Sequence, residues 1–87
     1  MPAGDELPPL PDTPTGSYRH YKGGEYEVMG VARHSETLDP LVVYRPLYNA
    51  SGLWVRPHAM FFGEVELGGQ RVARFSLVDQ ASRAGER

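Results

Sequence analysis

Tyr26-Glu-Val-Met-Gly-Val-Ala32 and Leu41-Val-Val-Tyr-Arg-Pro-Leu47 decide the fold class. Both are dense in β-branched and aromatic residues, which suit a pleated, half-buried surface. Pro46 cannot donate to a ladder, so it places its stretch at an edge or a strand end. Leu53-Trp-Val-Arg56 reads as a short strand stopped by Pro57, and His58-Ala59-Met60 as a single turn. Residues 33–40 and 48–52 carry polar residues and glycine and read as loops. No segment sustains a 3.6-residue apolar period, so no long helix is expected, and no internal repeat is present.

Outward from these strands, Gly23-Gly24 and Gly68-Gly69 punctuate the chain as two-residue hairpin turns, because glycine takes positive φ at no steric cost. A two-residue turn fixes register. Around Gly68-Gly69, Glu66 then faces Arg71, Val65 faces Val72, and Phe62 faces Phe75. Around Gly23-Gly24, Lys22 faces Glu25, Tyr21 faces Tyr26, and His20 faces Glu27. Opposite charges and apolar pairs are what a ladder prefers. One conflict remains: the Phe62/Phe75 and Val65/Val72 pairs fall on opposite faces under strict alternation. A bulge at Gly63 that resets the phase is the expected remedy. The fold expected is all-β: a small, strongly bent antiparallel barrel of about five strands.

All nine aromatic residues, from Tyr18 to Phe75, lie within residues 16–79, which are expected to form the one folded domain. Residues 1–15 hold five of the eight prolines and read as a disordered, Pro-rich leader, since they cannot bury enough apolar surface to offset ordering. Residues 80–87 read as a flexible tail. Net charge is −2 overall, but residues 16–79 carry seven basic and seven acidic side chains. No block of like charge exists to attract a nucleic-acid backbone at long range, although strand binders also rely on stacking. The absence of cysteine excludes disulfides and thiolate zinc sites and fits a reducing compartment. No apolar run approaches the ~20 residues of a membrane span. No signal-peptide pattern opens the chain, so Asn49-Ala50-Ser51 reads as a chance glycosylation sequon.

Tyr18-Arg-His-Tyr-Lys-Gly23, Tyr26-Glu-Val, Ala32-Arg-His-Ser-Glu-Thr37, Val42-Val-Tyr44, Leu47-Tyr48, Leu53-Trp-Val-Arg-Pro57 and Met60-Phe61, taken in order, resemble the bacterial DUF1653 family over roughly residues 16 to 77. That family is similar in architecture to SH3-like barrels. The resemblance implies this fold and a bacterial, cytoplasmic setting, and almost no chemistry.

Three places could carry chemistry. In Arg33-His34-Ser35-Glu36-Thr37, His34 could serve as a base oriented by Glu36, with Ser35 or Thr37 as nucleophile. Residues two apart share a strand face, so Ser35 would then point away from the pair. Hydroxyls and Glu36 satisfying turn backbone are the simpler explanation. A zinc site built from His20, His34, His58 and Glu36 lacks the close spacing of a zinc motif, so no metal and no cofactor are expected. Third, Tyr21, Tyr26, Tyr44, Tyr48 and Trp54 accompany Arg45 and Arg56. Tyr and Trp offer flat apolar area with a polar tip, and Arg adds cation–π contacts or a fork for anions. Trp54, Phe61, Phe62 and Phe75 must also supply much of the core. Lys22-Gly23-Gly24 lacks the spacing and following helix of a phosphate loop.

The function expected is a binding module that docks a peptide, nucleotide or nucleic-acid segment. Its face would hold His20, Tyr21, His34, Glu36, Tyr44 and Arg56, with Trp54 beneath. The alternatives are a small hydrolase-like enzyme or enzyme component using the His34/Glu36 pair in an oligomer, and a structural module that holds a protein partner or forms a homodimer. A domain this small encloses little space, and catalytic clefts usually need ~300 Å³ or more.

Overall fold

The computed structural model describes residues 7–80. Its elements run β1 (Gly16–His20), β2 (Glu25–Arg33), β3 (Pro40–Pro46), β4 (Trp54–Pro57), α1 (His58–Phe61), β5 (Glu64–Leu67), β6 (Gln70–Ala73) and β7 (Phe75–Gln80). Five strands form an antiparallel sheet in the order β4-β3-β2-β1-β7, and β5 pairs with β6 in a separate hairpin. The fold is mostly β, as the strand-rich stretches imply. The expected closed barrel does not form: β4 and β7 are the two edges and do not pair with each other. Among the described residues no helix is long and apolar enough to cross a membrane.

The two Gly-Gly pairs behave differently. Gly68 and Gly69 both take positive φ, 58° and 83°, and make the tight turn expected of them. Glu66 pairs with Arg71 and Val65 with Val72, as the two-residue turn dictates. At the other pair, only Gly23 has positive φ. The turn there is longer: the His20 N–H donates to the Gly24 carbonyl at 2.7 Å, and the Gly23 N–H donates back to the His20 carbonyl at 2.7 Å. Tyr18, not Tyr21, therefore lies opposite Tyr26, and Arg19 lies opposite Glu25. A register shift of three residues is odd, so it exchanges faces. Tyr18 and His20 enter the core side in place of Tyr21. Gly24 serves packing instead of backbone conformation, because a Cβ there would meet the Tyr48 ring at 3.2 Å.

The alternation conflict at Phe62 and Phe75 is resolved by a change of sheet. The β5–β6 hairpin ends at Ala73, and Arg74 turns the chain so that β7 joins β1. Arg74 ties the two sheets, donating its N–H to the Gly63 carbonyl (3.0 Å) and accepting from the Tyr21 N–H (2.9 Å). Phe75 consequently lies opposite His20, and Phe62 caps the C-terminal end of α1. The expected bulge at Gly63 is absent. That glycine follows the helical turn, where a Cβ would approach the Ala59 carbonyl oxygen to 3.0 Å. Bulges occur instead at Met29, between the Val28–Tyr44 and Gly30–Val43 pairs, and where β7 meets Ser17 and Tyr18.

The core is Tyr18, Val28, Val42, Tyr44, Phe61 and Phe75, with Tyr26 packed against it. Phe61, delivered by α1, is fully buried and stacks on Phe75 with ring centres 4.0 Å apart. Trp54 and Phe62, expected in the core, are 52% and 37% exposed. β4 is only four residues long and lies at the sheet edge, so among the described residues nothing covers the outer side of Trp54. The end of the leader is held against the domain. The Tyr18 hydroxyl donates to the Pro14 carbonyl (2.8 Å), and Thr13 Oγ1 bonds His58 Nε2 (3.1 Å). The leader expected to be disordered is thus anchored at Thr13 and Pro14, and Gln80, assigned to the tail, pairs with Gly16 in the sheet. Residues 1–6 and 81–87 lie outside the described residues.

Candidate functional site

Cross-strand partners share a sheet face, and so do residues two apart on one strand. Tyr44 lies opposite Val28 on one side and Trp54 on the other, while Arg56 lies opposite Val42. Tyr26, Tyr44, Trp54 and Arg56 are thereby brought to one place, around a pocket of about 200 Å³. Tyr44 is buried and forms its floor. Trp54 forms a wall, its indole N–H fixed by donation to Ser51 Oγ at 3.0 Å.

Arg56 is half-buried. Its Cζ lies 5.8 Å from the centre of the Phe75 ring, and its Nε donates a long, weak bond of 3.4 Å to the Tyr44 hydroxyl. These contacts steady the stem of the guanidinium and leave its two outer nitrogens for a ligand. The rings therefore do not form an empty cage for a cation, because a cation of the chain already sits among them.

Tyr26 is the hub of the cluster. Its ring meets Tyr44 (5.5 Å), Tyr48 (5.6 Å) and Phe75 (5.5 Å), all edge to face. Its hydroxyl bonds that of Tyr48 at 2.8 Å. This bond, followed by burial and the neighbouring Tyr48 and Tyr44 hydroxyls, pushes the Tyr26 phenol up to about 12, with Arg56 pulling the other way. Tyr26 stays a neutral phenol across the physiological range.

His20 closes the side of the cluster, with its ring 4.9 Å from Phe75 and 6.4 Å from Tyr26. Its Nδ1 accepts the Lys22 N–H at 3.1 Å, so the neutral ring carries its proton on Nε2. Burial lowers its pKa below the usual histidine value, and the positive charges of Arg56, Lys22 and Arg74 lower it further.

A family model for proteins of unknown function, DUF1653, matches residues 16–77, a span that contains every residue of this cluster. The chain belongs to the DUF1653 family. It is also similar to a crystal structure of a DUF1653 protein from Bordetella bronchiseptica, at 35% sequence identity and a TM-score of 0.72, covering 83% of this chain and 95% of that one. A search of curated proteins found no match.

Of the residues singled out from the sequence, this DUF1653 chain brings Tyr44, Trp54, Arg56 and His20 together. Trp54 is on the surface and Tyr44 beneath, the reverse of the expected layering. His20 reaches the cluster through its contacts with Phe75 and Tyr26, and with Tyr21, ring centres 4.6 Å apart, it also lines a neighbouring cleft. That cleft, about 480 Å³, lies between β7 and the β5–β6 hairpin and includes Arg19, Leu67, Val72 and Leu77. It is larger, but its Arg19 is already paired with Glu25 at 2.6 Å.

His34 and Glu36 sit in the loop after β2, at the far end of the β2–β3 pair from Tyr26. Six ladder steps separate Tyr26 from Arg33, the last residue of β2, a distance of ~20 Å at strand rise. Here His34 Nδ1 accepts the N–H groups of Glu36 (3.0 Å) and Thr37 (3.2 Å). The imidazole thus serves the turn, and it is the Glu36 backbone N–H that engages it. The three histidines lie in three separate places. Among the described residues no group of three His, Cys, Asp or Glu side chains is placed to hold a metal. Tyr26 and Tyr48, named among the candidate aromatics but left off the expected face, and Phe75, read only as core, complete the cluster; the corrected register at Gly23-Gly24 is the signal that would have placed Tyr26 there.

Proposed function

We propose that residues 16–79 form a non-catalytic binding module that takes one planar group of its ligand into the Tyr26/Tyr44/Trp54/Arg56 pocket. The planar group is an aromatic side chain of a peptide or a base of a nucleotide or nucleic-acid segment. The observation that carries this reading is the half-exposed Trp54, pinned by Ser51 beside a half-buried Arg56 whose outer guanidinium nitrogens have no partner among the described residues. An indole held out of the core at the cost of unburied apolar surface is more economically explained by a partner that stacks on it. A volume of about 200 Å³ is below the roughly 300 Å³ of an enclosed small-molecule site. It suits one ring, with the rest of the ligand lying on the surface.

Trp54 is the sole tryptophan, so its fluorescence reports on the pocket directly. Titration of the full chain with tyrosinamide, uridine and a short single-stranded RNA should quench or shift Trp54 emission saturably for at least one of them. An Arg56→Ala chain should lose most of that response while keeping its melting transition. Emission that stays constant across the panel in the wild-type chain contradicts the reading.

A further inference from the structure

We propose that the surface between His20 and Arg56 is a phosphate subsite, so that the ligand whose ring enters the pocket is a nucleotide, free or as a unit of a strand. This rests on the ring-pocket reading above and adds the chemical class of the ligand.

The first ground is the distribution of charge. Residues 16–79 hold seven cationic side chains against seven acidic ones. Three of the cations are neutralised: Arg19 by Glu25 (2.6 Å), Arg45 by Glu27 (2.6 Å) and Arg71 by Glu64 (2.9 Å). Among the described residues four cations have no such partner: Arg33, at the far end of β2, and Lys22, Arg56 and Arg74, which lie around His20. The Arg56 guanidinium stands over Phe75, whose ring also packs on His20. Lys22 donates its backbone N–H to His20 Nδ1, and its Nζ lies 5.8 Å from the Tyr21 ring. Arg74 is bonded through its carbonyl to the Tyr21 N–H. Burial first, and then the positive charges of Arg56, Lys22 and Arg74, depress the His20 pKa. Three of the four unpaired cations of a charge-balanced domain thus lie around His20.

The second ground is donor geometry. With Nδ1 occupied by the Lys22 N–H, the neutral His20 ring offers Nε2–H as a donor. Arg56 adds a planar fork and Lys22 a mobile ammonium. A carboxylate has two oxygens and is satisfied by one such fork, whereas a phosphate has three or more and suits several donors from different directions. The third ground is adjacency. The His20 ring meets Tyr26 at the pocket wall edge to face, ring centres 6.4 Å apart, so a phosphate donor stands directly beside the ring pocket. With a single phosphate contacted and no net charge to steer it, binding is short-range, and its salt dependence is shallow.

The test compares uridine, uridine 5′-monophosphate and inorganic phosphate on the full chain, read by Trp54 fluorescence and by the His20 imidazole resonances. The monophosphate should bind roughly tenfold or more tighter than uridine, the gain expected of charge-assisted hydrogen bonds. Bound phosphate should raise the His20 pKa, and binding should therefore strengthen as pH falls toward that pKa. Lys22→Ala and His20→Gln should each shrink the ratio of monophosphate to uridine affinity. A hexamer of uridine separates the sources: tighter binding than the monophosphate points to a strand, and equal or weaker binding to the free nucleotide. Equal affinity for uridine and its monophosphate, with His20 unmoved by phosphate, overturns the subsite while leaving the ring pocket standing. No response of Trp54 to any of these ligands, with His20 likewise unmoved, overturns both.

Discussion

His20 and His34 make the same local structure at two different places. Each accepts, on Nδ1, the backbone N–H of the residue two positions on: Lys22 for His20 and Glu36 for His34. Each thereby stabilises a turn that leads out of or into β2. What surrounds them differs. His20 packs its ring on Phe75 and Tyr21 among unpaired cations and beside a pocket, while His34 stands in a polar loop with exposed Ser35, Glu36 and Thr37. A histidine beside an acid and a hydroxyl looked the richer chemistry in the sequence. The structure gives the richer environment to the histidine whose neighbours in sequence are Arg, Tyr and Lys. Residue type selects the local turn, and tertiary packing decides which turn becomes a site.

The contrast can be broken first through the core beneath the His20 end. Phe61→Ala removes a fully buried ring stacked on Phe75 and should cost ~3–5 kcal/mol in a denaturant melt. That is a large share of the ~5–15 kcal/mol typical of a domain. Trp54→Ala should cost no more than about 1 kcal/mol while silencing ligand binding. If Trp54→Ala destabilises as much as Phe61→Ala, Trp54 is core and the face disappears.

At the other histidine, His34→Ala leaves two loop N–H groups without a partner and should lower stability by about 0.5–1.5 kcal/mol. Ligand binding, followed by Trp54 emission, should not change. A loss of binding in this variant would bring the 34–39 loop into the site and dissolve the contrast.

Acid titration sharpens the comparison further. The fold holds His20 below its usual pKa, first through burial and then through Arg56, Lys22 and Arg74. The unfolded chain therefore binds more protons between that lowered value and about 6.5. His20's contribution to stability is fully present above about 6.5 and is lost as pH falls through the window below it. The ring should titrate below about 6.5 by NMR, and a higher value would mean that the cations do not converge on it.

The smallest effect expected is on Tyr26. Its phenol is pushed up to about 12, chiefly by the Tyr48 hydroxyl. Native Tyr26 thus keeps a proton that the unfolded chain loses near pH 10, and its contribution to stability fades as pH rises from about 10 to about 12. In Tyr48→Phe, the ultraviolet tyrosinate signal of Tyr26 should move down toward 10, with little change in the melt at neutral pH. An unchanged titration would show that the Tyr26–Tyr48 bond is not what holds the proton.

Much of the fold was legible in local chemistry. β2, β3 and β4, the helical turn after Pro57 and the Gly68-Gly69 hairpin all follow from β-branched density, proline positions and the demand for positive φ. The Gly23-Gly24 turn was not legible for a specific reason. Its second glycine is there to admit the Tyr48 ring, a contact made by a residue 24 positions away, and no local rule reports it. Reading it as a two-residue turn rotated β1 by three residues and put Tyr21 where Tyr18 and His20 belong. The change of sheet at Arg74 was hidden likewise, because alternation shows that a phase breaks and not where the next strand goes. For the site, Tyr44, Trp54, Arg56 and His20 could be named from residue type. Their layering depended on β4 being a short edge strand, which follows from the topology alone.

The central claim is that ligand binds at the Tyr26–Trp54–Arg56 end of the β2–β3 pair. Two-dimensional amide NMR of the labelled full chain, titrated with uridine 5′-monophosphate, tests it most directly. Progressive shifts should be confined to residues around His20, Tyr26, Tyr48, Trp54 and Arg56, with residues 34–39 unmoved. Shifts that centre on His34 and Glu36, or a spectrum unchanged at saturating ligand, would contradict it.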